Sequence, residues 1–275
     1  MGRARTRTPR VRERRTDGNS QAPMASPSCP HLHVAVNSAA AYAEPRARLL
    51  AELRAAGVPP SQVHVFLAGS RGAAEVPIDI GGVQHYHVPH ESVDFTAMVE
   101  LAERSERFAA TVRRWFYLHD TTSVGLQFWR HAVKAGCDPL PACALPLTRY
   151  FPASSMGLYE ASFIAANRDA IVSQLKNAHG APVARWKKRG FGWEDKVFKM
   201  CDAASVPAVR RFTRRCYNAT LARATCLCST VEIDAAPQLV YGQGSAPRQA
   251  WRFGCMDVVK FKANWERNRT LVLVP

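Results

Sequence analysis

The residues with the clearest chemical potential in this chain are His119 and Asp120, which follow the apolar run Trp115 to Leu118 and precede Thr121 and Thr122. In an open α/β sheet, ligands bind beyond the carboxyl ends of the strands. A carboxylate at such an end can hold a divalent cation that bridges a diphosphate. The plainer reading is that Asp120 or Thr121 caps a following helix. Two other strand ends qualify by the same rule. One offers Asn37 and Ser38, the other Gly69, Ser70 and Arg71. A second acidic site lies in Phe191 to Asp195 (FGWED), where Glu194 and Asp195 suit a general base beside an aromatic wall. Acidic residues also favour helix N-termini for electrostatic reasons alone. His85, His87 and His90 (HYHVPH) form a third cluster. On a strand His85 and His87 share a side, as metal ligands could, whereas half-exposed histidines on an edge strand are the plainer reading.

The elements that must position these residues follow from hydrophobic periodicity. Leu32 to Asn37 reads as a buried strand, Glu44 to Ala56 as a helix closed by Gly57, and Gln62 to Leu67 as the next strand. Such strand–helix–strand units build parallel sheets. Gln84 to Val88 is a shorter strand. A helix is expected from Val93 to about Val112, then the strand Trp115 to Leu118, then a helix from Thr121 or Thr122 through Ala135. Beyond Gly136 the pattern is less regular. Met156 to Ala165 reads as a strand and Arg168 to Asn177 as a short helix. Helical spacing recurs at Trp193 to Ala203 and Val206 to Ala224. Short strands are expected near Thr230 to Ile233, Gln238 to Tyr241, Met256 to Val259 and Leu271 to Val274. The fold class is therefore α/β, a Rossmann-like, mostly parallel sheet flanked by helices with an irregular C-terminal part.

Length and composition set the frame. The 275 residues are 47% hydrophobic, enough for a large core. No apolar run reaches the ~18 residues of a membrane span. The N-terminus lacks the apolar core of a signal peptide. It carries seven arginines up to Arg15 against Glu13 and Asp17, so residues 1–28 read as a disordered basic tail, with a transit peptide as the alternative. Residues 29–275 read as one domain, and the expected compartment is the cytoplasm. The net charge is +15, and two further clusters, Arg185 to Arg189 and Arg210 to Arg215, favour anionic partners such as nucleotide diphosphates or nucleic acid. The eight cysteines read as free buried thiols in a chain without a signal peptide. Cys226 and Cys228 form a C-x-C pair, with no second pair to complete a zinc ribbon.

Tyr117 to Phe128 (YLHDTTSVGLQF) resembles a motif of glycosyltransferase-like proteins of algae and large viruses. Ser155 to Tyr159 (SMGLY), Gly192 to Phe198 (GWEDKVF) and Asp257 to Trp265 (DVVKFKANW) fit the same pattern in order and spacing. The resemblance implies the nucleotide-sugar transferase fold called GT-A, with residues 29–136 as the nucleotide-binding half and 137–275 as the acceptor side. It implies a donor site drawing on Asn37, Ser70, Arg71, His119, Thr121, Gly157 and Tyr159. It also implies Asp120 as the contact for a manganese or magnesium ion, and Glu194 or Asp195 as the base on the acceptor hydroxyl. Thr122 departs from the family's Asp-x-Asp motif by replacing the second aspartate, and His119 then assists or replaces a ligand. The competing expectations are a nucleic-acid-binding protein, a metal-dependent hydrolase built on His85, His87, His119 and Asp120, and an inactive sugar-transferase fold.

Overall fold

The structure is a computed structural model; it describes residues 28–69, 76–147 except 139 and 141, 156–180 except 179, 250–261, and short pieces between 197 and 241 and at 271–273. In chain order the elements are β1 (Leu32–Ala39), α1 (Ala43–Ala55), β2 (Val63–Ala68), β3 (Ile78–Ile80), β4 (Val83–His87), α2 (Thr96–Glu103), α3 (Ser105–Phe108) and β5 (Arg114–His119). There follow β6 (Thr122–Val124), α4 (Phe128–Gly136), β7 (Ala144–Pro146), β8 (Gly157–Glu160), α5 (Ala161–Ala166) and α6 (Arg168–Leu175). Seven short strands come last: β9 (Tyr217–Asn218), β10 (Arg223–Ala224), β11 (Glu232–Asp234), β12 (Leu239–Tyr241), β13 (Ala250–Phe253), β14 (Val258–Phe261) and β15 (Leu271–Leu273).

The central sheet has seven strands in the order β3-β4-β2-β1-β5-β8-β7. The inner four, β4, β2, β1 and β5, run parallel. Outside them β3 on one side, and β8 then β7 on the other, join antiparallel. Every residue of β1 and β2 is buried, as expected of parallel strands covered on both faces. Alternate residues serve opposite cores. Leu32, Val34 and Val36 of β1 and Phe116 and Leu118 of β5 pack against Leu49 and Leu53 of α1 and Phe128 and Trp129 of α4. Ala35, Phe66, Trp115 and Tyr117 pack on the other face against α2, α5 and α6. The sheet is therefore the middle of three layers.

α1 ends as its sequence foretells. Gly57 takes φ +84°, its N–H reaches Arg54 O at 3.0 Å, and the Val58 N–H reaches Leu53 O at 3.0 Å. These two bonds close the final turn, and Val58 joins Leu53 in the core. The expected helix from Val93 to Val112 is broken. A 3-10 turn at Val93–Phe95 precedes α2, and α3 is a separate short turn. Val93 holds φ +53°, outside the right-handed helical region, a conformation that costs a β-branched residue about 1–3 kcal/mol.

The largest correction concerns residues after Asp120. Thr122–Val124 is a strand, not a helix start. β6 pairs antiparallel with β14, with Lys260 opposite Thr122, in a small sheet of order β11-β13-β14-β6. The helix begins only at Phe128, where the Gln127 N–H donates to Asp257 Oδ2 at 2.9 Å. Neither Asp120 nor Thr121 caps it, and its N-terminus does not adjoin Asp120 in sequence. β-branched Thr122 and Val124 suit the strand, and the partner lies far along the chain. β8 is likewise shorter than the expected strand, because Glu160 turns the chain into α5.

The cysteines are also corrected. Cys29–Cys137, Cys143–Cys201 and Cys228–Cys255 are disulfides, Cys226 is disulfide-bonded too, and none of the described cysteines is a free thiol. Their separations of 108, 58 and 27 residues hid the pairing. Among the described residues no helix is long and apolar enough to cross a membrane.

Candidate site at the switch point of the sheet

The connection from β1 to β2 runs through α1 on one face, and that from β4 to β5 through α2 and α3 on the other. From β1 the strand order therefore grows outward in both directions. The reversal lies between β1 and β5, and ligands of open α/β sheets bind at such a point. The ends of these two strands meet through the Asp120 N–H, which donates to Asn37 O at 3.0 Å. Sequence reasoning had singled out both ends without knowing that they adjoin.

Asp120 is buried, 6% exposed, just past β5. Its Oδ2 accepts the Ala39 N–H at 3.3 Å. Burial pushes its carboxyl pKa up to about 6, although the Ser38 hydroxyl, the Lys260 charge, the Ala39 amide and the Arg46 charge all pull it down. Arg46, from α1, donates to Ser38 Oγ at 3.1 Å and Ala39 O at 3.2 Å. Lys260, from β14, donates to Thr121 Oγ1 at 2.5 Å and lies 3.1 Å from His119 Nδ1. Burial, then the Lys260 charge, lowers the His119 pKa to about 3, so the imidazole is neutral. Asp94 Oδ1 lies 3.5 Å from the same ring nitrogen.

Asn37 stands at the same edge with a structural task. Its Nδ2 donates to Val93 O at 2.9 Å, and its Oδ1 accepts the Ala97 N–H at 2.8 Å and the Tyr117 hydroxyl at 3.3 Å. Tyr117 Oη also donates to Asp94 O at 2.7 Å. One amide thus fixes the left-handed Val93 and the first turn of α2. Both ends of that amide are engaged by protein.

The other expected residues divide. Thr121 joins the cluster through Lys260. Gly157 and Tyr159 do not. Tyr159 pairs with Trp115, at the end of β5 remote from Asp120, and is buried in the aromatic core. Gly157, at φ +148°, lets β8 lie against β7, since a Cβ there would meet Leu145 O at 2.2 Å. Both build the sheet. Ser70, Arg71, Glu194 and Asp195 lie outside the described residues, as do the clusters Arg185 to Arg189 and Arg210 to Arg215. Val197 and Cys201, just past the acidic pair, are helical and buried in the core that includes α2 and α5.

The histidines separate as well. β4 is not an edge strand, because β3 covers it, and His85 is buried while His87 is half-buried. Among the described residues, neither His85 with His87 nor Asp120 belongs to a group of three His, Cys, Asp or Glu side chains near enough to share an ion. The one such group is His90, Glu100 and Glu103, whose ligand atoms lie within 4.8 Å of one another. These carboxylates already hold cations: Arg104 reaches Glu100 at 2.6 Å and Lys176 reaches Glu103 at 2.6 Å. His90 Nε2 lies 3.1 Å from Glu100 Oε1, and its Nδ1 lies 2.9 Å from the Ser92 hydroxyl. The Ser92 Oγ accepts the Asn177 N–H at 2.9 Å, so this buried relay ties α6 to the loop before α2.

A divalent ion bound by protein takes several oxygen ligands, usually with more than one carboxylate. The structure brings together Asp120, the Arg46 guanidinium and the Lys260 ammonium, with a second carboxylate, Asp94, 3.5 Å from His119 Nδ1; among the described residues these carboxylates and His119 form no group of three near enough to share an ion. That set does not fit a protein-held divalent cation. Arg46, Ser38 and Lys260 complete the site. Lys260 lay within a stretch noted for resemblance but gave no chemical signal of its own, whereas Arg46 falls on the same face of α1 as Leu49, Leu50 and Leu53, a charged residue in an apolar stripe that could have marked it. In comparison with known proteins, the chain matches no protein-family model and no curated protein.

Proposed function

We propose that the protein is a glycosyltransferase that moves a sugar from a nucleotide-diphosphate donor to a hydroxyl acceptor. The observation that carries this reading is the position of Asp120, buried between Arg46 and Lys260 at the reversal between β1 and β5. Nucleotides bind at that point in sheets of this order, and the cations suit a diphosphate. The resemblance of Tyr117 to Phe128 to glycosyltransferase-like proteins adds the sugar. In this reading the anomeric carbon–oxygen bond of the donor breaks and its electron pair leaves on the diphosphate. The acceptor oxygen forms the new bond and passes its proton to Glu194 or Asp195. Lys260 and Arg46 offset the charge of the leaving group. No step runs through a metal ion. The disulfides support maturation in an oxidising compartment rather than in the cytoplasm.

The test is incubation with a panel of nucleotide sugars, with binding and slow donor hydrolysis as readouts. At least one donor is expected to bind and to be hydrolysed. Asp120→Asn keeps the shape and removes the charge, and is expected to lower turnover at least tenfold. If no donor is bound or hydrolysed by the wild-type protein, the reading fails.

A further inference from the structure

We propose that Asp94 is the residue of this site that recognises sugar hydroxyls, its carboxylate accepting hydrogen bonds from hydroxyls of a bound nucleotide sugar, on the ribose or on the sugar to be transferred. The inference rests on the glycosyl-transfer reading and names the group that holds the donor's sugar.

The first support is placement. Asp94 lies between β4 and α2, in the 3-10 turn Val93–Phe95. Tyr117 of β5 donates to Asp94 O at 2.7 Å, and Asn37 of β1 donates to the preceding carbonyl, Val93 O, at 2.9 Å. The turn is thereby held against the two strands that flank the reversal. Asp94 Oδ1 lies 3.5 Å from Nδ1 of His119, the last residue of β5. α1 covers one face of the sheet and α2 the other. Arg46 therefore reaches this edge from one side and Asp94 from the other. The crevice between such connections is where open α/β sheets bind ligands.

The second support is openness. The Asp94 side chain is 26% exposed, against 6% for that of His119. Among the described residues no N–H or O–H donates a hydrogen bond to the Asp94 carboxylate, and the His119 ring beside it is neutral. Asp120, by contrast, takes the Ala39 N–H, and both ends of the Asn37 amide are engaged. A carboxylate only accepts, so a ligand that meets Asp94 must bring donors. The diphosphate of a nucleotide brings none. Its sugar rings do, since hydroxyls on neighbouring carbons present two donors to the two oxygens of one carboxylate.

The third support is fixity. Val93, immediately before Asp94, is the left-handed residue at φ +53°. Strained backbone of this kind persists only where its surroundings over-determine it, and it concentrates at ligand sites. Asn37 and Tyr117 hold the turn from the sheet, and the Ser92 N–H donates to Thr96 Oγ1 at 2.9 Å across it. A carboxylate on a backbone already held in place loses little freedom when the ligand arrives.

The experiment measures binding by titration calorimetry. The ligands are uridine diphosphate, guanosine diphosphate, their dideoxyribose counterparts (which lack both ribose hydroxyls) and the panel of nucleotide sugars. Wild-type protein is expected to favour the hydroxyl-bearing ligand about 10- to 100-fold, the worth of a hydrogen bond to a charged group. A preference for the ribose over the dideoxyribose form assigns Asp94 to the ribose. A preference for a nucleotide sugar over its own diphosphate, with the ribose hydroxyls making no difference, assigns it to the transferred sugar. Asp94→Ala removes no side-chain hydrogen bond among the described residues, so it is expected to fold and to abolish whichever preference the wild type shows. Asp94→Asn keeps the shape without the charge and is expected to reduce that preference about 3- to 10-fold, because a neutral acceptor makes a weaker bond. Full preference in a folded Asp94→Ala protein overturns the inference. A wild type that binds these ligands without regard to their hydroxyls overturns it too, and both results leave the glycosyl-transfer reading standing. Absence of binding of every ligand by the wild type overturns both. Should Asp94→Ala fail to fold, Asp94→Asn decides, and an unchanged preference there overturns the inference.

Discussion

His64 of β2 sits in the core with its Nε2 2.8 Å from His33 Nδ1 and its Nδ1 3.3 Å from the Tyr86 hydroxyl. Phe108 and Trp115 meet its ring edge-to-face at 5.6 and 5.0 Å. Burial, then repulsion from the neighbouring His33 ring and Arg107, lowers its pKa from 6.5 to about 3. An unfolded chain takes up a proton on this ring near pH 6.5, whereas the folded protein refuses it until about pH 3. Between those values unfolding binds a proton, so stability falls as pH falls. The slope approaches about 1.4 kcal/mol per pH unit for one group, hence about 3 kcal/mol between pH 6.5 and pH 4. His119 adds a drop of the same sign. Asp120 acts oppositely: its raised pKa gives stability below about pH 4 that is lost as pH rises through about 6. Comparing wild type with His64→Gln removes both contributions, because each protein carries them. Urea unfolding followed by tryptophan fluorescence at pH 7, 6, 5 and 4 supplies the free energies. The wild type is expected to lose about 3 kcal/mol more than the variant across the range, whatever the variant's offset at pH 7. Parallel profiles would refute the assignment of His64 as a neutral core histidine.

Three further outcomes follow from the geometry. Asn37→Ala removes hydrogen bonds to Val93, Ala97 and Tyr117 and is expected to cost about 2–4 kcal/mol, read as a lower thermal midpoint. Gly125→Ala sets a Cβ within 2.1 Å of the Asp257 carboxylate, which must then leave the Gln127 N–H; a loss of about 1–3 kcal/mol in urea unfolding is expected. Peptide mapping without reductant is expected to show Cys29–Cys137, Cys143–Cys201 and Cys228–Cys255, and opening the first, which closes a 108-residue separation, should lower stability by up to ~4–5 kcal/mol.

The sheet was legible where its strands are buried on both faces. Leu32 to Asn37, Gln62 to Leu67 and Trp115 to Leu118 are nearly continuous apolar runs, and each became a central strand. β3 escaped notice because its three residues are exposed and nothing in Ile78–Ile80 alternates with a buried partner. The helix expected at Thr121 failed because its neighbour, β14, lies outside any local window. Threonine's caps and threonine's strands look alike until the partner is known. The break at Val93 was hidden for a similar reason, since the strain there is held by Asn37, 56 residues earlier. At the site, Asp120 and His119 announced themselves by position, following an apolar run. Lys260 did not, because a cation in a basic chain of net charge +15 carries no local mark of being the one that turns inward; Arg46 carried a mark that went unread, since it stands three, four and seven residues before Leu49, Leu50 and Leu53 on the apolar stripe of α1.

The pairing of β14 with β6 also sets an order in time. His119 and Thr121 precede Lys260 by 141 and 139 residues. At ~5–20 residues per second on the ribosome, the strand-end loop waits roughly 7 to 28 s for the lysine that closes it. Throughout that interval the parallel strands can assemble, but β6 has no edge to join and Asp120 has Ser38, Ala39 and Arg46 beside it without Lys260. The cluster around Asp120 is therefore among the last parts of the described structure to be completed, since it waits for β14.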